Sequence, residues 1–356
     1  MDYPPFKRPE IIEQLRIEAG SQAPPRPTRK VKRHRINPAD ARHVFHVCTG
    51  NRWMDLGERE RKPGMLFGEF WYQNELCILF ADTNVGKSLL AVQIANSITR
   101  RSPIRPFALG TPRSKVLYID FELNTAQFCA RYSDEKYSYS FTDLFMRADF
   151  DPGFEMPDYC TSYDDFIIAG IEYKIQLTNP SVLIIDNITC LRGGTENSTI
   201  ALALMKRLKA LKDTYKLSIL VLAHTPKRRN PYRPLLAEDL QGSKLIINFA
   251  DSAFAIGRST LEKGLLYLKQ IKQRSSAQLY GEHNVCLCRI YRRSGFLRFR
   301  FLGHGDEKEH LQTTALSKRQ MLPTKVVRLR EAGFTQRQIK KRLKVSLGLV
   351  NRMVNS

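Results

Sequence analysis

The segment from residue 76 to residue 99 constrains the fold most, because it joins an apolar run, a polar loop and a helical pattern. The run at 76–80 has the composition of a buried strand, and the helical pattern covers 87–99. Gly86, Lys87 and Ser88 open that helix. Backbone N–H groups and the positive end of a helix dipole attract phosphate at such a turn. The segment therefore predicts a loop that cradles the phosphates of a nucleoside triphosphate such as ATP.

The residues of this loop have distinct expected roles. Gly86 lets the backbone approach the phosphates, Lys87 neutralises the β- and γ-phosphates, and the Ser88 hydroxyl ligates Mg²⁺. Ala81 occupies the first position of the motif, where glycine is commoner, and fits there only if its φ is negative. The alternative is a Gly-Lys-Ser on a surface turn, which the flanking strand and helix disfavour. The predicted nucleotide-binding residues are Ala81, Asp82, Thr83, Asn84, Val85, Gly86, Lys87, Ser88 and Leu89.

Apolar runs and helical patterns alternate along the rest of the chain up to about residue 250. This alternation implies right-handed crossovers and an α/β fold, with a mostly parallel sheet flanked by helices. Shorter strands with turn signals follow, and they predict antiparallel edge strands. The further predicted strands are 116–120, 182–186, 219–223, 250–256, 264–271, 285–291 and 296–302, and the further predicted helices are 162–178 and 199–215.

Composition divides the chain into four parts. Residues 1–38 form a basic arm that is rich in Pro and Arg and is expected to be disordered. Residues 39–302 form the α/β domain, and short helical signals at 39–66 indicate a lead-in before its first core strand. The polar segment 303–322 is predicted to be a linker. Residues 323–356 are predicted to be a small all-α domain.

The net charge of +22 is confined to three segments. Residues 1–35 carry nine basic and four acidic side chains, 269–300 carry eight and one, and 318–356 carry eleven and one. The rest of the chain balances. Three separate basic zones favour a polyanionic partner, with nucleic acid as the leading candidate. Solvated basic faces are the alternative interpretation.

Cysteine usage and hydropathy bear on the cellular compartment. The seven cysteines are odd in number and show no CxxC spacing, which favours reduced structural thiols. The N-terminus has no apolar signal region, and no apolar run approaches the ~18 residues of a membrane span. The sequence therefore predicts a cytoplasmic location and no membrane partner.

Two further strand ends carry carboxylates. Asp186 follows the apolar run 182–185, so that its carboxylate would emerge at the sheet edge and join Ser88 at the Mg²⁺. Asp120 and Glu122 lie at the end of the run 116–120, where either could orient the water that attacks the γ-phosphate.

The order of these motifs resembles the RecA/DnaB-type ATPase core, and particularly its plasmid RepA-like hexameric helicase branch. The resemblance covers about residues 65–302. It implies that Glu122, rather than Asp120, is the catalytic base. It also implies that His224, after the strand 219–223, senses the γ-phosphate, whereas a purely local hydrogen bond is the alternative role. Gln241-Gly242-Ser243 is similar to the Gly-Ser turn of the family.

The same resemblance implies a ring, in which one subunit completes the nucleotide site of the next. Lys272 and Arg274 resemble the Lys-x-Arg that reaches the neighbouring nucleotide and stabilises transition-state charge. A basic strand edge that binds DNA has the same sequence pattern. The resemblance thus implies a homo-oligomer, expected to be a hexamer, with ATP and Mg²⁺ bound.

Two loops after catalytic strands, 191–195 and 226–233, correspond to loops that grip single-stranded DNA in RecA-like proteins. Their Gly, Arg and aromatic residues suit tracking of a nucleic-acid backbone. The predicted DNA contacts there are Lys227, Arg228, Arg229 and Arg233.

The tail from residue 323 predicts three short helices. Gly333 ends the first, Thr335 caps the second and Ser346 caps the third. The pattern resembles a helix-turn-helix, whereas packing of a basic tail on the core or on a neighbouring subunit is the alternative. The DNA contacts that the resemblance implies are Arg337, Lys340, Lys341, Ser346, Asn351 and Arg352.

These observations predict an ATP-hydrolysing, DNA-binding motor. The RepA resemblance implies a replicative helicase or translocase of a plasmid or other mobile element. Two alternatives stay open: a nucleotide-switched DNA-binding regulator or helicase loader without unwinding activity, and a RecA-like recombinase.

Overall fold

The structure is a computed structural model. It describes residues 44–151, 153–160, 162–188, 198–225, 232–240, 244–311, 322–323, 326–327, 329–343 and 345–355. The chain divides into two compact units, Met1–Arg61 and Lys62–Ser356. The predicted basic arm, the loop at 191–195 and residues 226–231 of the second predicted DNA loop lie outside the described residues.

The described part of the first unit contains one helix, α1 (Gly50–Arg59). Thr49 caps it, because its Oγ1 accepts a hydrogen bond from the Arg52 backbone N–H at 3.3 Å. No residue of α1 is buried. The helical signals predicted between 39 and 66 are therefore confirmed for this segment.

The second unit is built on a nine-stranded sheet. Its strands are β3 (Leu76–Ala81), β4 (Val116–Asp120), β5 (Phe145–Asp149), β6 (Val182–Asp186), β7 (Ser218–His224), β8 (Ser252–Arg258), β9 (Leu266–Gln273), β10 (Val285–Arg293) and β11 (Phe296–Gly305). Their order across the sheet is β11-β10-β9-β8-β3-β7-β6-β4-β5. Strands β3 to β8 pair in parallel, and β9 to β11 continue the sheet in antiparallel fashion. The predicted α/β fold with antiparallel edge strands is confirmed.

Helices cover both faces of this sheet. They are α2 (Lys87–Arg100), α3 (Thr125–Tyr132), α4 (Tyr163–Thr178), α5 (Ser198–Tyr215) and α6 (Lys244–Phe249). One core contains Leu90, Ile94 and Ile98 of α2, and the other contains apolar side chains of α4 and α5. Because β4, β6 and β7 are buried along almost their whole length, their sequences are continuous apolar runs.

Three elements differ from the sequence prediction. The strand predicted at 250–256 is not antiparallel to its core neighbour: β8 pairs in parallel with β3, because α6 returns the chain to the starting edge of the sheet. The short hairpin of β1 (Met65–Phe67) and β2 (Trp71–Tyr72) was not predicted. The edge strand β5 was also missed, because its residues are only partly buried and form no apolar run.

The linker predicted at 303–322 begins too early. Strand β11 continues to Gly305, and a short helix, α7 (Glu307–His310), follows it. Glu307 is fully buried and His310 is 4% exposed, so both belong to the folded core of the second unit. The polar sequence of this stretch does not indicate that it is buried, because Glu307 is buried only as one partner of an ion pair with Lys269.

The described tail contains α8 (Gln336–Leu343) and α9 (Leu347–Asn355), and residues 322–323, 326–327 and 329–331 are also helical. Thr335 caps α8 and Ser346 caps α9, as predicted. Gly333 adopts a left-handed conformation with φ +86°. Helices α8 and α9 contribute Ile339 and Val350 to a small apolar core of their own.

The described residues include six cysteines, and all six are free thiols. Within the same ranges, no helix has both the length and the apolar composition that crossing a membrane requires.

Candidate nucleotide-binding site

The four neighbouring parallel strands β3, β7, β6 and β4 all end on the same side of the sheet. A cavity of about 310 Å³ lies beside their carboxyl ends. Ala81 of β3 is in register with His224 of β7, and Asp120 of β4 is in register with Asp186 of β6. The carboxyl ends of parallel strands are where α/β proteins place ligands. The cavity is lined by Thr83, Asn84, Gly86, Lys87, Ser88, Leu89, Glu122, Arg131, His224, Ile290 and Leu297.

The loop between β3 and α2 has the backbone conformation that its sequence predicts. Ala81 is the fully buried last residue of β3 and has no positive φ, so that alanine fits at this position. Gly86 has φ +100°, and a Cβ on it would lie 2.8 Å from Ile290 Cδ1. Gly86 is also the N-cap residue of α2, and because glycine has no side chain it leaves the first N–H groups of the helix uncapped. The first backbone N–H groups of α2 are therefore directed into the cavity as an anion site.

Lys87 is 6% exposed and its ammonium group lies within the loop. Nζ donates to the carbonyl oxygens of Ala81 at 3.0 Å and Asp82 at 3.2 Å, and it lies 3.1 Å from His224 Nδ1. Burial lowers the pKa of Lys87, and the negative charges of Glu122 and other nearby carboxylates oppose that shift. These contacts hold the ammonium group at the mouth of α2, where a triphosphate would lie.

Two side chains from other strands brace the loop, and the sequence alone does not reveal either role. Thr225, after β7, donates its hydroxyl to the carboxylate of Asp82. Arg258, at the end of β8, donates to the carbonyl oxygens of Thr83 at 3.2 Å and Asn84 at 2.9 Å. Asn84 has φ +58°, a conformation that asparagine tolerates better than most residues. The loop is thus fixed from two sides before any ligand binds.

Glu122 and His224 form the polar end of the cavity. Because an ionised carboxylate only accepts, His224 Nε2 donates to Glu122 Oε1 at 3.0 Å. The side-chain amide of Asn187 donates to the same oxygen, and its nitrogen also lies 2.9 Å from His224 Nε2. On the other side of the ring, His224 Nδ1 lies 3.1 Å from Lys87 Nζ. The hydrogen bond from His224 lowers the pKa of Glu122, although burial opposes the shift. His224 thus links the Lys87 ammonium group to the Glu122 carboxylate.

Asp120, the other carboxylate on this strand end, is occupied by structural contacts. It accepts a hydrogen bond from Arg147 Nε at 2.9 Å and from the backbone N–H groups of Glu122 and Leu123. It is 1% exposed and does not line the cavity. Glu122 is therefore the carboxylate of this pair that is available to a water molecule beside the phosphates.

Asp186 and Ser88 have the chemistry of a Mg²⁺ site. Asp186 is fully buried, and its Oδ1 has no hydrogen-bond partner among the described residues. Oδ2 accepts a 2.6 Å hydrogen bond from the Tyr118 hydroxyl. Burial raises the pKa of Asp186 to about 6, the hydroxyls of Ser88 and Tyr118 oppose that shift, and Glu122 adds to it. A cation would offset the cost of this buried carboxylate, so the pair fits Mg²⁺.

The remaining cavity residues were not predicted. Arg131 is contributed by α3, and Ile290 and Leu297 come from the antiparallel strands β10 and β11. Arg131 brings a cation from the same chain to the cavity, and the two aliphatic side chains add an apolar wall beside Gly86. No local motif marks these residues, because long-range packing of the β10–β11 hairpin on α2 brings them to the site.

Lys272 and Arg274, which are predicted to reach the nucleotide of a neighbouring subunit, lie near the start of β8. This is the end of the parallel strands opposite the P-loop. Lys272 Nζ donates to the carbonyl oxygens of Ile247 at 2.7 Å and Asn248 at 3.1 Å, and Arg274 donates to Asn248 at 2.8 Å. Both side chains thus bind the C-terminal carbonyls of α6 in this protomer. Their role at a neighbouring nucleotide stays a prediction.

The predicted DNA contacts lie far apart in the sequence. Lys227, Arg228 and Arg229 lie outside the described residues, whereas Arg233 forms an ion pair with Asp239. In the tail, Asn351 is half-buried. The other predicted contacts of the tail are exposed: Arg337, Lys340, Lys341, Ser346 and Arg352.

Comparison with known proteins agrees with this geometry. A protein-family model described as an AAA domain matches residues 51–230, which is half of the chain and includes the phosphate loop, Glu122, Asp186 and His224. A search of curated proteins gives no match.

Proposed function

This chain belongs to the AAA domain family, and we propose that it is a DNA-binding motor driven by the hydrolysis of Mg-ATP. Its second unit carries a nucleotide-binding P-loop ATPase domain. The observation that carries the proposal is the convergence of Lys87, Glu122, Asp186 and His224 at the mouth of α2. A P-loop, a buried acidic strand end and a second carboxylate are the groups that phosphoryl transfer to water requires.

The proposed chemistry assigns one task to each group. The N–H groups at the start of α2 and the Lys87 ammonium bind the β- and γ-phosphates and stabilise the charge that develops on them. Ser88 and Asp186 would hold Mg²⁺, which would supply further positive charge to the phosphates. Glu122 accepts a hydrogen bond from the attacking water and aligns it with the γ-phosphorus. His224 holds the Glu122 carboxylate in place and responds to the γ-phosphate through Lys87.

We propose that this site is completed between subunits of a homo-oligomeric ring, with a hexamer as the expected form. Lys272 and Arg274 would supply positive charge to the nucleotide of the adjacent subunit. Their position at the sheet edge away from their own P-loop, bound to the end of α6, supports a role in trans.

DNA is the proposed polymer on which the motor acts. Support comes from the basic loop at 226–233 after β7 and from the exposed basic residues of α8 and α9. The loop would track single-stranded DNA in the ring, and the tail would bind duplex DNA as a helix-turn-helix. The resemblance of the sequence motifs to RepA-like helicases supports a role for such a motor in the replication of a plasmid or other mobile element, in the cytoplasm.

A single experiment separates this function from a nucleotide-switched regulator. ATP turnover of the full-length protein is measured without DNA, with single-stranded DNA and with duplex DNA, and separation of a forked duplex is followed in parallel. The proposal predicts that single-stranded DNA raises turnover at least about tenfold and that strand separation requires ATP. Lys87→Ala is expected to abolish both. Turnover that is insensitive to single strands, together with tight sequence-specific duplex binding, would instead identify a regulator.

A further inference from the structure

A second basic cavity lies at the far end of α2 from the phosphate loop. It has a volume of about 470 Å³ and is formed by the C-terminal half of α2, the segment after it and the β10–β11 hairpin. We name it the arginine groove after the side chains that line it, which are Arg100, Arg105, Arg293, Arg298 and Arg300, with Tyr291 beside them. No Asp or Glu is among its lining residues.

The walls of the arginine groove are firmly held. The Gln93 side chain of α2 binds the free edge of β11, since it donates to Phe299 O at 3.1 Å and accepts from Phe299 N at 2.8 Å. At the hairpin tip, Arg292 donates to the last carbonyl oxygens of α3, including Ala130 O at 3.1 Å. These contacts fix the hairpin against α2 and α3, so the groove is a preformed feature of the fold.

Most arginines of the groove lack a side-chain partner; Arg100 is the exception, because it donates to Asn96 Oδ1 at 3.2 Å and to Ser140 O. Arg289, on the same strand as Arg293, forms an ion pair with Glu262. By contrast, Arg105, Arg293 and Arg300 are exposed and make no side-chain hydrogen bond or ion pair with any residue that the structure describes. The Nε of Arg298 is buried and likewise lacks an acceptor among the described residues.

Such an arrangement is unfavourable without an anion. Like charges repel across a shared cavity, and a buried N–H without an acceptor destabilises the folded protein. An anionic ligand would remove both costs at once. The groove therefore has the electrostatics of a binding site for an extended polyanion, because its arginines are spread over two strands and the segment after α2.

The chemistry of the lining indicates which polyanion fits. A guanidinium group matches a phosphate with two parallel hydrogen bonds, and it does so better than an ammonium group. Tyr291 lies directly across from Arg298 on the neighbouring strand, and the guanidinium carbon lies 5.3 Å from its ring centroid. Arginines interleaved with an aromatic ring are typical of surfaces that bind a sugar–phosphate backbone and stack an unpaired base.

We propose that the arginine groove binds the backbone of single-stranded nucleic acid. The groove is separate from the nucleotide cavity, because α2 has fourteen residues and is about 20 Å long, with the phosphate loop at one end and the groove at the other. Its lining residues also differ from those of the segment 226–233 and of the tail. The proposal therefore goes beyond the motor function and does not depend on hydrolysis of ATP.

The test compares three variants of the full-length protein. The groove variant carries Arg105→Gln, Arg293→Gln and Arg300→Gln. A charge-matched control carries Lys174→Gln, Lys209→Gln and Lys263→Gln, which are exposed residues away from the groove. A third variant replaces the three groove arginines with lysine. Binding of a fluorescent oligothymidylate of about twenty nucleotides is measured by anisotropy, without ATP, between about 50 and 200 mM salt.

The groove variant is expected to bind the oligothymidylate at least about tenfold more weakly at low salt. The slope of log affinity against log salt should fall in magnitude by about two, because three phosphate contacts each contribute about 0.7 for single strands. The control should keep the wild-type slope, and the lysine variant should keep most of it. Turnover of ATP without DNA should be unchanged in all three, which shows that they are folded.

The proposal is overturned if the groove variant and the lysine-to-glutamine control have the same slope and affinity. It is also overturned if the groove variant loses binding to vesicles that contain phosphatidylserine while its affinity for the oligothymidylate stays at the wild-type value. Because binding is measured without ATP, neither result depends on whether the protein is a motor.

Discussion

Glu122→Gln is expected to lower the rate of ATP turnover by about 10²–10⁴-fold at saturating ATP, the range typical of a lost general base. Glutamine keeps the size of the side chain and can still accept the hydrogen bond from His224 Nε2. It cannot take a proton, and it polarises a water molecule far less than the carboxylate does. The affinity for Mg-ATP should therefore stay within about threefold of wild type, which identifies a loss in the transition state. Steady-state turnover and equilibrium nucleotide binding are the two measurements.

Glu135→Gln is the matched control, because Glu135 is an exposed carboxylate that does not line the nucleotide cavity. Its turnover should equal that of wild type. Wild-type turnover in Glu122→Gln would remove Glu122 from the role of base. Since Asp120 is held by Arg147, the water would then have to be aligned by some other group at the site.

Glu307→Ala is expected to destabilise the second unit by about 3–5 kcal/mol, the usual result of removing one partner of a buried ion pair. The Lys269 ammonium donates to Glu307 Oε2, and the side chains of Lys269 and Glu307 are 7% and 0% exposed. Glu307 Oε1 also accepts from Leu235 N at 2.8 Å and from the Tyr267 hydroxyl at 3.0 Å. Removal of the carboxylate would leave a buried cation and two donors without this acceptor. The midpoint of urea unfolding measures the loss.

Two further variants make this prediction specific. Glu309→Ala, on the same short helix but exposed, should change stability by no more than about 0.5 kcal/mol. Replacement of both partners, with Lys269→Met and Glu307→Leu, should recover much of the stability that Glu307→Ala loses, because the pair is then removed without leaving a charge. If Glu307→Ala unfolds at the same urea concentration as Glu309→Ala, the ion pair contributes nothing to stability.

The convergence of the candidate site residues at one end of the sheet could be predicted, because each of them follows a continuous apolar run. Parallel strands buried on both faces leave such runs in the sequence, and their carboxyl ends meet at one edge. Glu122, Asp186 and His224 could therefore be placed near the phosphate loop without any coordinates. The preference for Glu122 over Asp120 as the base rested on resemblance alone and stays a prediction; in the structure Arg147 binds Asp120, whereas Glu122 lines the cavity.

The other walls of the nucleotide cavity could not be predicted in this way. Arg131 lies on a short helix that has a single buried residue, so its sequence has no apolar stripe. Ile290 and Leu297 reach the cavity because the last hairpin packs against α2, and no spacing in the sequence encodes that contact. The bracing of the loop by Arg258 likewise depends on the parallel pairing of β8 with β3, which the sequence did not reveal.

The end of the ATPase domain was misplaced for a related reason. Sequence reasoning treats polar stretches as exposed, because isolated charges are rarely buried. Glu307 is buried together with Lys269, which lies 38 residues earlier in the chain, so neither residue alone indicates the pair. The same reasoning found the basic character of 269–300 but could not separate Arg289, which is paired with Glu262, from Arg293 and Arg300.

The central claim is that the mouth of α2 binds a nucleoside triphosphate with Mg²⁺, and calorimetric titration of ATP into the purified protein tests it most directly. With Mg²⁺ present, the wild-type protein should bind ATP, and Lys87→Ala should weaken that affinity at least about tenfold, because the buried ammonium group no longer meets the phosphates. Absence of measurable heat for both ATP and GTP with the folded wild-type protein would contradict the claim.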